Sequence, residues 1–359
     1  MRLARLHAPG DLRVDDVERP GLTPGAVRVE VAYTGICGSD LHEYESGPVP
    51  IRAEATNHEL PDDRRERLLP KPMGHEVSGT VVEVADDVDG VAAGDRVTLN
   101  TVRGCNDCRY CADGAYHLCD AASGHVVTTP GFADELVVPA TTIVPVPDEV
   151  PLRHATVVEP LSVSAHGVRE SGLQLGDATA VFGAGPIGLG VVAWAKAAGA
   201  RTVLVSEPRA ARRTAAAALG ADRVIDPGRS DVRSTVHEET DGGVDVAFEA
   251  AGAERTLTDA LRSTAYGGTV AVLSVFEDFV PVHPNDIMQA ERRLVGSFAF
   301  RGGPQAGRDE FAATLAHLAD GRLDPEPMVS DVISLSAIEE GFERLRSPDS
   351  DAIKILVEP

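Results

Sequence analysis

Residues 178–188 read Ala178-Thr179-Ala180-Val181-Phe182-Gly183-Ala184-Gly185-Pro186-Ile187-Gly188. A short apolar strand runs into a glycine-rich turn, and an alanine-rich helical stretch follows as far as Ala198. Gly183 permits the tight turn, Gly185 lets a pyrophosphate approach the backbone, and Gly188 allows the helix to pack closely. The helix opening at Pro186 and Ile187 offers its free N–H groups and positive dipole to phosphates. About 20 residues on, the next strand ends in Ser206-Glu207, where an acid is expected to hold the adenosine ribose hydroxyls. A glycine turn with an incidental glutamate is the rival, and order, spacing and context disfavour it.

The alternation then continues. Residues 201–206, 223–225, 244–249, 268–273 and 294–297 read as strands, with a helix over 209–219. Strand–helix repetition of this kind predicts a doubly wound parallel sheet covered by helices on both faces, an α/β dinucleotide-binding domain. Glu207 favours NAD over NADP, because a carboxylate repels a 2′-phosphate. Arg212 is counted with the cofactor residues, and with Arg209 and Arg213 it could partly offset that charge.

Toward the N-terminus the texture is β-rich. Residues 27–33, 79–84 and 95–99 carry the short alternating patterns of a compact, barrel-like β domain. Residues 43–72 break the rhythm, being polar, rich in Pro and Arg, and too long for a tight turn, so a surface loop or lid is expected. The tail from about 300 carries a helix (309–319) and a closing strand (353–357), expected to return to the first domain. The expected boundaries are 1–157 with 300–359 for the β-rich domain, and 158–299 for the nucleotide domain.

The chain has five cysteines, four of them at Cys105, Cys108, Cys111 and Cys119. The spacing C-x2-C-x2-C-x7-C brings four thiolates within reach of one tetrahedral ion, a closed site of the structural zinc type in a lobe of about 100–122. Disulfides are disfavoured without an export signal, and a nucleic-acid-binding ribbon is disfavoured by Asp107, Asp113 and Asp120. Cys37 stands alone in Gly35-Ile36-Cys37-Gly38-Ser39-Asp40-Leu41-His42 and suits an open metal site. His75 and Glu76 lie in Gly74-His75-Glu76, and Glu159 in Val157-Val158-Glu159-Pro160-Leu161. Singly they read as a buried thiol, a satisfied histidine and a helix-capping glutamate; beside a nucleotide domain they become candidate ligands.

At 359 residues there is room for two cores. The net charge of −23 argues against nucleic acid and anionic membranes as partners. The lysines are Lys71, Lys196 and Lys354, every other basic residue being arginine or histidine. An acidic, lysine-poor chain fits a halophilic source; a GC-rich genome explains the lysine scarcity equally well, but not the acidity. No apolar run reaches the ~18 residues that span a bilayer, and Met1-Arg2-Leu3-Ala4 opens no signal peptide, so a cytoplasmic address with reduced thiols is expected.

Taken together, Gly-Ile-Cys-Gly-Ser-Asp-Leu-His, Gly-His-Glu, the four-cysteine lobe, Glu-Pro-Leu and Gly-Ala-Gly-Pro-Ile-Gly resemble, in this order, the zinc-dependent medium-chain alcohol dehydrogenases. The resemblance covers essentially the whole chain. It implies a GroES-like catalytic domain interrupted by a Rossmann domain. Within that family the chain is most similar to (R,R)-2,3-butanediol dehydrogenases, in Leu41-His42-Glu43-Tyr44 with Gly47-Pro48, in Ser206-Glu207-Pro208, in Pro284-Asn285-Asp286 and in Gly296-Ser297. The charged stretch Asp62-Asp63-Arg64-Arg65-Glu66-Arg67 departs from it.

The resemblance implies that Cys37, His75 and Glu159 hold a catalytic zinc, with Glu76 a neighbouring or alternating ligand. Ser39 would take the substrate proton and pass it through the cofactor ribose to His42, and Asp40 would position the site. The implied reaction is reversible NAD-linked oxidation of a secondary alcohol or vicinal diol to the ketone, in a homodimer or homotetramer. Sorbitol or L-threonine 3-dehydrogenase activity is the alternative within the family. A zinc-free quinone or enone reductase is disfavoured by the ligands present.

Overall fold

The computed structural model describes residues 1–48, 67–119, 129–301 and 310–359. From the N-terminus come β1 (Arg2–Ala8), β2 (Asp11–Asp16), β3 (Ala26–Gly35), α1 (Gly38–Ser46), β4 (Lys71–Pro72), β5 (Glu76–Val84), β6 (Arg96–Leu99), β7 (Glu135–Pro139) and β8 (Ile143–Pro145). Next are α2 (Val158–Ser171), β9 (Ala178–Phe182), α3 (Pro186–Ala197), β10 (Thr202–Ser206), α4 (Ala210–Ala218), β11 (Arg223–Ile225), α5 (Val232–Thr240), β12 (Val244–Glu249), α6 (Glu254–Ser263), β13 (Thr264–Val272) and β14 (Arg293–Gly296). The chain closes with α7 (Glu310–Ala319), β15 (Val329–Ser334), α8 (Ile338–Arg346) and β16 (Lys354–Glu358).

These elements form two compact units: Met1–Glu159 with Arg301–Ala319 and Val329–Pro359, and Pro160–Phe300 with Asp320–Met328. In the first, β15-β16-β3-β5-β6-β8 make one sheet, with β7 also pairing β3. β3 explains the arrangement. Its alternating Val27, Val29 and Val31 point into a core with Val77, Val81, Val97, Leu99 and Leu136, as the period of two requires. One edge of β3 pairs with β5 along its length; the other pairs with β7 at residues 26–30 and with β16 at residues 34 and 35. The C-terminal strand therefore docks beside the end of β3, where Cys37 follows.

The loop expected over 43–72 begins later than the sequence indicated, because Glu43 to Ser46 complete α1. Tyr44 packs its ring 5.3 Å from Phe342, and the carboxylate of Glu43 pairs with the Lys71 ammonium, both side chains about 5% exposed. Burial of an ion pair and an aromatic ring thus extends the helix. The charged residues 62–66 lie outside the described residues.

In the second unit, β11-β10-β9-β12-β13-β14 are paired in parallel throughout, the doubly wound order expected from the alternation. Every residue of β9 is buried, as a central parallel strand demands.

Candidate active site

Pairing of β3 with β5 sets Gly35 opposite Glu76. Cys37, two residues past the end of β3, and His75, just before β5, are thereby brought to one place. The donor atoms of Cys37, His75 and Glu76 lie within 4.8 Å of one another. Cys37 caps α1 in an extended conformation, and Asp40, three residues into that helix, accepts its N–H at 2.9 Å through Oδ2. The other oxygen, Oδ1, stands 3.7 Å from His75 Nδ1. With a carboxylate on the Nδ1 side, Nε2 is the ring's donor atom.

Glu159, in the first turn of α2, is buried but falls outside that tight set. It still acts on the site: burial alone lowers the His75 pKa, and Asp40, Glu159 and Glu76 together outweigh it and raise it. Burial pushes Glu159 up to about 8 and, with the charge of Glu76 adding, the Cys37 thiol up to about 12. These are groups that hold protons unless a cation displaces them, which is the behaviour of a metal donor set. The residues fit a zinc ion: one thiolate, one oriented imidazole and carboxylates within reach.

Ser39 and His42 sit three positions apart on α1, both half-buried, whereas Asp40, Glu43 and Tyr44 form its buried face. The nearby Ser39 hydroxyl acts to lower the Cys37 thiol pKa, a small effect beside burial. Helix α1 therefore turns its positioning residues inward and its two candidate proton carriers to one outer side.

The second metal candidate is closed. The four sulfurs of Cys105, Cys108, Cys111 and Cys119 lie within 4.8 Å of one another. Asn106 adopts φ 60°, which bends the first turn, and two backbone N–H groups point at sulfur: Cys105 to Cys119 Sγ at 3.3 Å and Asp107 to Cys105 Sγ at 3.4 Å. All five cysteines are free, and the 3.6 Å between Cys108 and Cys111 is far from a bonded pair. Four converging sulfurs fit a second zinc.

The glycine-rich turn has the expected geometry within its own unit. Gly183 takes φ +97°, which favours glycine, and a Cβ at Gly188 would overlap the Gly183 carbonyl. Around Gly185 the nearest atom to a Cβ is Arg212 Nη1 at 3.8 Å, so that face has room for a ligand. Gly185 caps α3, with Pro186 in its first turn, Ile187 next and Gly188 packed beneath. Glu207 is buried, its carboxylate accepting the N–H of Ala184 and of Arg209, each at 2.8 Å. Arg212 Nε and Arg209 Nη1 are buried without a partner among the described residues. Arg213 is spent on the carbonyls of Glu207 and Pro208 and on Asp226. An open glycine, an acid and orphaned guanidinium nitrogens fit a nicotinamide dinucleotide.

Residues 23–148 match the family described as "Alcohol dehydrogenase GroES-like domain", and residues 186–320 the one described as "Zinc-binding dehydrogenase". Over the whole length of both chains, the sequence is 38% identical to the (R,R)-butanediol dehydrogenase of Bacillus subtilis strain 168. The chain belongs to the zinc-binding alcohol dehydrogenases. It is an oxidoreductase that uses zinc and a nicotinamide cofactor, with a GroES-like and a Rossmann domain. An L-threonine 3-dehydrogenase of Pyrococcus furiosus is 35% identical over 92% of this chain and 90% of its own. The crystal structure of the Bacillus subtilis 2R,3R-butanediol dehydrogenase superposes with a TM-score of 0.87 at 36% identity, covering 100% of this chain and 99% of that one.

Sequence reasoning missed Lys354, which is 1% exposed and bonded to both oxygens of Glu76. It also missed the Lys71–Glu43 pair. A signal was available: two of only three lysines in an arginine-rich chain are the buried ones. Among the described residues no helix is long and apolar enough to cross a membrane.

Proposed function

We propose that this dehydrogenase interconverts a vicinal diol of the 2,3-butanediol type and its hydroxyketone, with NAD as hydride acceptor. The full-length likeness to a butanediol dehydrogenase supports the substrate class. The single observation that carries the chemistry is the set Cys37, His75 and Glu76 with Asp40 behind it. When bound there, zinc supplies Lewis acidity to the substrate oxygen, and NAD supplies the hydride acceptor.

The chain's own residues do the rest. Asp40 fixes the Cys37 backbone and faces the His75 ring, so both donors are preorganised. Ser39 Oγ takes the hydroxyl proton of the alcohol as its own proton passes on, and the His42 imidazole, on the outer side of α1, carries it to solvent. Buried Glu159 and Glu76 supply the negative charge that keeps a cation in place. Glu207 holds the adenosine ribose and opposes a 2′-phosphate, which supports NAD over NADP.

Two zinc ions per chain are expected, one catalytic and one structural. Five free cysteines support a reducing, cytoplasmic setting. Exposed Tyr266, Val275, Phe279, Met288, Leu294 and Phe298, all from β13 to just past β14, support a homodimer or homotetramer.

Steady-state kinetics with the 2,3-butanediol stereoisomers, acetoin, sorbitol and L-threonine, each with NAD and NADP, test the assignment. The highest kcat/KM is expected for one butanediol stereoisomer with NAD. A threonine or sorbitol value tenfold above all butanediols would overturn the substrate class.

A further inference from the structure

Glu76 begins β5, and Lys354 begins β16, on opposite sides of β3. Gly35 on β3 is the register partner of both Glu76 and Leu356. Its missing side chain is what lets the two meet. A Cβ on Gly35 would overlap Glu76 Oε2, so the carboxylate lies across the bare backbone of β3 toward the far strand.

There Lys354 Nζ donates to Glu76 Oε1 at 2.7 Å, to Oε2 at 2.8 Å and to the Ile36 carbonyl at 2.7 Å. An ammonium has three protons, and all three are committed. One of its acceptors belongs to the residue before Cys37, and the others to the residue after His75. Both residues of the pair are almost wholly buried, where an ammonium and a carboxylate are held together strongly and separate reluctantly.

Two cations compete for this carboxylate. Donor atoms on one zinc ion sit about 2.0–2.3 Å from it, hence up to roughly 4 Å apart. Glu76, within 4.8 Å of the other donors, needs only a small shift to join them.

We propose that Lys354 is a positioning residue that withholds Glu76 from the metal, so that Cys37, His75 and Glu159 are the resting protein donors and the fourth position stays open. The proposal rests on the catalytic-zinc assignment above. It gives Glu76 a defined resting state, and it assigns a function to a buried lysine in a chain that has otherwise almost abandoned lysine.

The test uses the full chain with Co(II) exchanged for zinc at the Cys37 site, read as the visible difference spectrum against Cys37→Ser. Glu76→Gln is expected to leave the cobalt bands unchanged. Lys354→Met is expected to weaken them, because the freed carboxylate adds a ligand and raises the coordination number. Lys354→Met/Glu76→Gln is expected to restore them, and Lys354→Arg to keep them. Release of zinc to a chelator is expected to slow about 10-fold in Lys354→Met, and to return to the wild-type rate in the double variant.

Altered bands in Glu76→Gln, or unaltered bands in a folded Lys354→Met, would overturn the role of Lys354. If Lys354→Met does not fold, Glu76→Gln and Lys354→Arg still decide. A wild-type chain that takes up no cobalt at Cys37 overturns the metal assignment itself, a separate result.

Discussion

Asp40 holds the Cys37 backbone N–H with one carboxylate oxygen, and its other oxygen stands 3.7 Å from His75 Nδ1. One side chain thus bonds the backbone of one donor residue, just past β3, and faces the ring of another, just before β5. Its pKa is raised, burial being the main cause and the neighbouring charge of His75 opposing it. Asp40→Asn keeps the shape and removes the charge behind the imidazole. Zinc affinity at the Cys37 site is expected to fall about 10- to 100-fold, measured by chelator competition. An unchanged affinity would mean that Asp40 serves only the helix cap.

The two metal sites should separate cleanly by mutation. Cys37→Ser is expected to remove one of two zinc ions and abolish turnover, with NAD binding retained by calorimetry. Cys108→Ser is expected to remove the other ion and lower the melting temperature, since the three remaining sulfurs no longer complete the tetrahedral set that holds the lobe. Metal analysis beside the kinetics distinguishes the cases. Full activity in Cys37→Ser after chelation would rule out the zinc mechanism.

Much of this site was legible in the sequence. The glycine-rich turn, Glu207 and the four-cysteine lobe are local patterns with fixed spacing; in the structure Gly183 takes a positive φ and the four sulfurs converge. Cys37, His75 and Glu76 were weak signals singly and became candidate ligands beside the nucleotide domain; family resemblance alone assigned them to one ion, because β3–β5 pairing brings them together across about forty residues of chain. Lys354 stood out in the sequence only as one of three lysines in an arginine-rich chain; nothing near it hints that a glycine on the middle strand opens a route to Glu76. The helical end of the expected loop was hidden for the same reason, since Glu43 becomes helical by burial against Lys71.

That buried pair yields a stability prediction. Lys71→Met leaves Glu43 without its ammonium, and a loss of about 3–5 kcal/mol is expected. Replacing both, as Lys71→Met/Glu43→Gln, is expected to recover most of it in chemical denaturation. If the single and double variants are equally unstable, packing of the Lys71 stem rather than its charge holds α1 in place.

Glu207 offers a test of cofactor choice. Glu207→Gln keeps the side chain's shape and removes the charge that opposes a 2′-phosphate, while Arg209 and Arg212 retain buried nitrogens without partners among the described residues. The ratio of kcat/KM for NADP over NAD is expected to rise about 10-fold or more, a change of roughly 1.4 kcal/mol. A ratio that does not move would place the discrimination elsewhere in the nucleotide site.

At the first strand, Asp134 accepts from Arg2 Nη2 at 2.6 Å and Nε at 3.0 Å. Burial raises its pKa, but the hydrogen bonds and charge of Arg2 outweigh burial and leave it below the ordinary carboxylate value. A depressed folded pKa means that the pair stabilises the fold above the unfolded value near pH 4. That contribution is lost as pH falls through the folded value. The melting-temperature difference between wild type and Asp134→Asn is therefore expected to shrink from pH 5 toward pH 2. A constant difference across that range would show that the hydrogen-bond geometry, not the charge, is what Asp134 contributes.

Fifty-six acidic residues against thirty-three arginines and lysines give −23, and that excess must repel itself on a folded surface. Salt shortens the reach of the repulsion, from about 10 Å at 0.1 M to about 3 Å at 1 M. Because the folded chain packs these charges more closely than the unfolded one, screening favours folding. The melting temperature and the activity are therefore expected to rise with KCl into the molar range, as in a protein adapted to salt. Repeating the titration with sucrose at matched osmolality separates screening from general exclusion of solute, since sucrose cannot screen charge. A melting temperature that is flat in KCl, or that rises equally in sucrose, would show that the acidity is not a salt adaptation.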